Sequence, residues 1–269
     1  MSRETIQRRR LKLPGALHAT LRALPRLWTG ACGALGLCAL AWLTPQFLEL
    51  SGWGLAAWSV AAGLTSLVAV GALARLSITD DLDAARALGL GRAGLQMGRP
   101  ELRLLGAGLL SLIFVAMIVI VLALVVLAIF GTAELDVTAI QARDWGRVGD
   151  TWKLGLLAVL AAVAVMVPLF LTVRLALFIP ATIGRHQMVS LTAMSLPAGS
   201  VGLLFVGLVF TALPKIVLLI LVGSGIISGP VLAVIAILIL VGLQASLTIG
   251  FLGAAYRQLE TWTSSEPKA

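Results

Sequence analysis

The sequence predicts an all-α integral membrane protein: six transmembrane helices arranged as three hairpins, with short interfacial helices on the cytoplasmic side. Three observations carry this expectation. Of the 269 residues, 59% are hydrophobic and only 12% are charged, with a mean hydropathy of +1.04. A soluble domain keeps a charged shell of about a quarter of its residues, so the balance is that of a chain solvated by lipid. Several windows also exceed the roughly 20 apolar residues that cross a bilayer, and Leu104 to Phe130 holds no charge at all. Finally, the basic residues alternate with these windows in the way membrane topology requires.

Taken in order, the apolar windows place membrane helices at 28–50, 54–75, 104–130, 154–176, 201–222 and 231–256. Pro45 ends or kinks the first, because proline removes a backbone donor and crowds the preceding turn. Residues 1–27 read as a basic amphipathic cytoplasmic region, 28–256 as the transmembrane domain and 257–269 as a cytoplasmic tail. Within 15–27, Leu17, Leu21 and Leu24 share one face while His18, Arg22 and Arg26 share another. That spacing suits a helix lying on the inner leaflet. "RRRLKL" belongs to a basic region of nearly 30 residues, too long for a cleaved signal, and more membrane segments follow, so it reads as a retained N-terminus.

Orientation follows from the cations. The N-terminal region, the 75–103 loop, Arg174, Arg185 and the tail share one side, whereas only Arg143, Arg147 and Lys153 mark the other. The positive-inside rule therefore puts both termini in the cytoplasm. Tryptophans agree, with Trp28 at the inner interface and Trp42, Trp53, Trp58, Trp145 and Trp152 at the outer one. Each hairpin opens on a proline-containing segment ("LPRLWTGACG", "RPELRLLGAG", "LPAGSVGLLF") and closes on an arginine: Arg75, Arg174 and Arg257. These closing arginines, with Arg22 and Arg26, are expected to contact the inner leaflet. The pattern admits an internal repeat, and equally a shared need for a breaker and a snorkelling cation at each end.

Chemistry-bearing motifs are few. "GLGRAG" at 89–94 matches the dinucleotide fingerprint, which needs a strand before it and a long helix after it. A short loop between membrane helices has no room for that unit, so these glycines are read as turn residues. "TDDLD" at 79–83 suits the N-terminus of a short helix better than a metal site. His18 and His186 have no ligand-spaced neighbours, and Cys32 and Cys38 read as buried small hydrophobes that cannot pair with each other. No catalytic, cofactor or metal site is expected, and intramembrane acids look absent apart from Glu49 at the outer rim. Gly242, Ser246, Gly250 and Ala254 recur every four residues, the small-residue row that lets helices approach closely, within the protein or against a partner subunit. Lys215, inside "ALPKIVLLILVGSG", sits about 21 Å along its helix from Val201 and is expected to snorkel outward, with Glu49 as the alternative ionic partner.

The segments "VRLALFIPATIGRHQMVSLTAMSLPAGSVGLLF" (173–205) and "GLQMGRPELRLLGAGLL" (94–110) resemble bacterial polytopic proteins related to the membrane domain of glycerophosphoryl diester phosphodiesterase. "AMSLPAG" departs from that family's Trp-x-Leu-Thr-Arg-Gly-like turn. The resemblance implies a fold and a location and no activity, since the phosphodiesterase chemistry belongs to a separate soluble domain. Function is accordingly expected to be non-catalytic: an accessory, assembly or lipid-organising subunit. Its partners would be anionic inner-leaflet lipids and possible membrane-protein neighbours, with no nucleic acid. The competing expectation is a small permease for an anionic or apolar solute.

Overall fold

A computed structural model describes residues 10–132, 137–142, 150–224 and 229–260. Arg3, Arg8, Arg9, Arg143, Trp145, Arg147 and Lys268 lie outside the described residues. The elements are helices α1 (Leu13–Leu43), α2 (Trp53–Ile78), α3 (Leu82–Ala87), α4 (Arg99–Thr132), α5 (Val137–Gln141), α6 (Thr151–Leu175), α7 (Phe178–Gly184), α8 (Val201–Thr211), α9 (Leu213–Gly223), α10 (Pro230–Ile237) and α11 (Ala245–Glu260). A π-helical segment, Leu238–Gln244, joins α10 to α11. The described residues contain no strand, and six helical stretches are long and apolar enough to cross a membrane. The chain forms two compact units, one of residues 1–108 and 174–269, the other of residues 109–173.

In the larger unit α1 and α2 run antiparallel. At one end the Trp58 indole donates to the Ala41 carbonyl at 2.7 Å and Trp42 to Ser66 Oγ at 3.0 Å, with the two rings edge to face. At the other end Arg26 donates to the carbonyls of Leu76 (2.9 Å) and Thr79 (2.6 Å), satisfying orphan acceptors at the α2 C-terminus. Between these ends Leu27, Leu73 and Leu76 pack among the small residues Ala31, Ala34, Ala69 and Ala72. Close backbone approach is the packing solution available to helices surrounded by hydrocarbon.

The separate interfacial helix expected at 15–27 is not observed. Those residues continue without interruption into the first span as the 31-residue α1, with Pro25 inside it. Pro25 forfeits one ladder hydrogen bond, and helices in which neighbours compensate tolerate that loss. Here the helix start is tied down at both sides: Leu11 N–H donates to Ser200 Oγ and Lys12 N–H to Gln258 Oε1. The buried stripe follows Ala16, Thr20, Leu27 and Ala31, while Leu21 is exposed.

The "GLGRAG" loop folds inward. Gly94, at φ +79°, lies against α1 and α2 so tightly that an added Cβ would sit 2.9 Å from Ala31 Cα and 3.1 Å from Ala72 Cβ. Gly33 of α1 receives Ala93 in the same way, at 2.9 Å. These glycines therefore serve a close approach that a side chain would prevent. Asp81 caps α3 through Ala84 N–H at 2.6 Å, with Asp83 in the first turn.

Helix α11 closes the unit against α1 and α2. A Cβ on Gly253 would lie 2.1 Å from Ser77 Oγ, and one on Gly207 would enter the ring of the fully buried Phe251. The fifth span is not one helix: α8 ends at Thr211, Ala212 breaks the run, and α9 restarts with Pro214 in its first turn, where a missing N–H costs nothing. The smaller unit comprises α4 from Leu109 onward, α5, and α6 to Val173. Most of its α4 side chains are exposed, Leu112, Ile120, Leu124 and Leu127 among them, while Ser111 is buried and Phe114, Ile118, Leu122 and Val126 are half-buried along one stripe. A helix apolar all round belongs in lipid.

Candidate functional site

Two clusters of charge stand out in the larger unit. The first is internal. Arg75 and Glu101 are each only 1% exposed, and their side chains meet at 2.7 Å (Nη1 to Oε1). Arg75 Nε also donates to the Leu88 carbonyl at 3.0 Å, and Glu101 Oε2 accepts from Gly98 N–H at 3.0 Å. Gly71 makes room for the pair, since a Cβ there would meet Glu101 Oε1 at 3.0 Å. Arg75 was expected at the inner leaflet; it is instead withdrawn from any surface, its Nη1 at ion-pair distance from a buried carboxylate and its Nε–H given to a loop carbonyl. A charge removed from solvent persists only when paired and hydrogen-bonded, as here.

The second cluster is a basic groove at one end of the helices, built from three chain segments that the fold brings together. The residues just before α1 supply Arg10 and Lys12 and its first turns His18, Arg22 and Arg26; the residues after α2 supply Asp80; the end of α11 supplies Arg257 and Gln258. It consists of two adjoining cavities of about 720 and 490 Å³ that share Ala19, Asp80 and Arg257. Arg257 forms an ion pair with Asp80. Beside the groove, Arg185 pairs with Glu260 through two hydrogen bonds of 2.8 and 3.0 Å, which push its pKa further above the ordinary arginine value. Arg22 is exposed and Arg26 partly buried, while Arg174 is partly buried in the last turn of α6 and stands apart from the groove residues.

The small-residue row divides. Ser246 and Ala254 are buried, and Gly250 faces α1, where a Cβ would lie 3.1 Å from Leu27 Cδ1 and 3.2 Å from Thr20 Cγ2. Gly242 has open space around its Cα, and its carbonyl accepts from the Trp28 indole at 2.9 Å. The reason is local: Gly242 lies in the π-helical segment, whose wider turn breaks the strict four-residue register. Gln244 donates to Thr248 Oγ1 at 3.0 Å, within the helix and not across it.

Lys215 and Glu49 are both exposed, and no ion pair joins them. Cys38 is buried, its thiol 3.6 Å from Ser66 Oγ, whereas Cys32 is exposed, contrary to expectation, because it points away from the α1–α2 seam. Among the described residues no group of three or more His, Cys, Asp or Glu is placed to hold a metal ion. The Arg75–Glu101 pair is the arrangement that sequence reasoning missed; the available signal was a lone acid two residues after Arg99, next to the glycine-rich loop. No family model, curated protein or solved structure matches the chain.

Proposed function

We propose that the chain is a non-catalytic, lipid-organising protein of a bacterial inner membrane, acting as an accessory or assembly subunit with both termini cytoplasmic. The observation that carries this reading is the basic groove. Five arginine and lysine side chains line it against one carboxylate, at the end of an apolar helical unit, where anionic headgroups would lie. The resemblance to the phosphodiesterase membrane domain supports the same location and lends no activity. Reconstitution tests the reading: thermal stability and lipid retention are compared in neutral vesicles and in vesicles containing anionic lipid. A higher melting temperature and selective retention of anionic lipid are expected; equal behaviour in both would overturn the proposal.

A permease is the second reading, favoured by one observation. Lys215 is exposed in the first turn after the break at Ala212, where a broken helix could meet an anionic solute. Flux of small anions into proteoliposomes, abolished by Lys215→Leu, would replace the first reading with this one.

A further inference from the structure

The groove is not a diffuse basic surface. Its two cavities flank the Arg257–Asp80 ion pair, and each holds cations of its own. Arg10 and Lys12 line one; His18, Arg22 and Arg26 line the other. Asp80 is neutralised by Arg257, and Arg26 spends one guanidinium nitrogen on the carbonyls of Leu76 and Thr79. Arg10, Lys12 and Arg22 make no side-chain hydrogen bond or ion pair among the described residues, and Arg26 Nε is buried without a hydrogen-bond partner. Unspent cations therefore stand on both sides of a closed ion pair. Ala19 lines both cavities and Ala254 the first.

We infer that the groove seats a single headgroup carrying two phosphates, one in each cavity, belonging to a membrane lipid. Lys12 precedes α1 and Arg22 lies on it ten residues later, about 15 Å of helix, and flexible stems leaning toward each other can bring the two anion positions to about 7 Å. Two phosphodiesters joined by a short carbon linker fit that separation, with the Arg257–Asp80 pair beneath the linker. A single phosphate would leave one cavity's cations unpaired. Arginine's planar fork favours phosphate oxygens in the second cavity, and lysine acts as a point charge in the first. The inference rests on the lipid-organising reading and sharpens it from a general attraction to a one-to-one site.

Native mass spectrometry of detergent-purified protein, with defined lipids added back, tests it. The probes are tetraoleoyl cardiolipin, dioleoyl phosphatidylglycerol at equal phosphate, dioleoyl phosphatidylcholine, and inorganic pyrophosphate as soluble competitor. One cardiolipin per chain is expected, bound at least tenfold tighter than phosphatidylglycerol and not displaced by pyrophosphate. Lys12→Gln and Arg22→Gln alter exposed side chains without partners, so each should fold as the parent does. Each should reduce cardiolipin binding about tenfold and phosphatidylglycerol binding by less, so that the preference for cardiolipin narrows. Equal affinity for the two anionic lipids, or variants that bind cardiolipin as the parent does, would overturn the two-phosphate site while leaving the broader reading intact. Displacement by pyrophosphate would assign the site to a soluble diphosphate. Loss of any preference for anionic over neutral lipid would overturn both readings.

Discussion

At the residue scale the decisive interaction is the Arg75–Glu101 pair. Removing one partner strands the other charge without solvent, a change that costs about 3–5 kcal/mol in comparable buried pairs. Arg75→Leu and Glu101→Gln should therefore each sharply lower the unfolding midpoint in detergent. The double variant Arg75→Met/Glu101→Leu should recover much of that loss, because it removes both charges and keeps the volume. Single variants as stable as the parent would show that the pair is solvated. Lys215 presents the opposite case. Exposed and unpaired with Glu49, it can lose its charge with little structural effect. Lys215→Leu and Glu49→Gln should have additive effects on stability, and a coupling of about 1 kcal/mol in the double-mutant cycle would contradict the geometry.

At the element scale, the last span, α11 with the π-helical segment before it, is graded by how closely its glycines touch their neighbours. Gly253 admits no side chain beside Ser77, Gly250 admits one only if Leu27 and Thr20 yield, and Gly242 has space. Gly253→Val should therefore destabilise most, Gly250→Leu by about 1–3 kcal/mol, and Gly242→Ala least. Thermal melts of the three variants in one detergent check the order, and a reversed order would place a different face of α11 against α1. Part of this was legible in the sequence, since glycine and serine every four residues announce a packing face. The π-helical segment was not, because nothing in "LILVGLQ" forbids an ordinary α-helix. Similarly, Pro214 hinted at the break in the fifth span, whereas Pro25 gave a false boundary in the first. Proline fixes local geometry, but the neighbouring helices decide whether the chain bends or continues.

For the whole molecule, the sequence read well where lengths and counts suffice. Runs such as Leu104 to Phe130 can only be helices in lipid, and six such stretches are present. Contacts between distant segments were not legible. Nothing local in "TDDLD" announces that Asp80 meets Arg257, or that Lys12 meets Gln258, pairs separated by 177 and 246 positions. Those contacts place the start of α1 and the end of α11 at the same end of the larger unit. In a background with Cys32 and Cys38 replaced, a cysteine at Arg92 should be shielded from an impermeant reagent applied outside intact cells. One at Asp150 should react. The reverse pattern would invert the proposed orientation.

The buried cation on α2 also sets an order of events during synthesis. Arg75 leaves the ribosome 26 positions ahead of Glu101, and the loop that lines its pocket emerges in between. Until that stretch arrives, the first two spans carry an uncompensated charge on a face otherwise made for packing. The first helical pair is therefore an unfinished intermediate, completed only by the leading turn of the third span. A chain ending at residue 98 should be cleared by quality-control proteases faster than one ending at residue 132. Pulse-chase half-lives would measure the difference, and equal half-lives would mean that the first pair matures without its carboxylate.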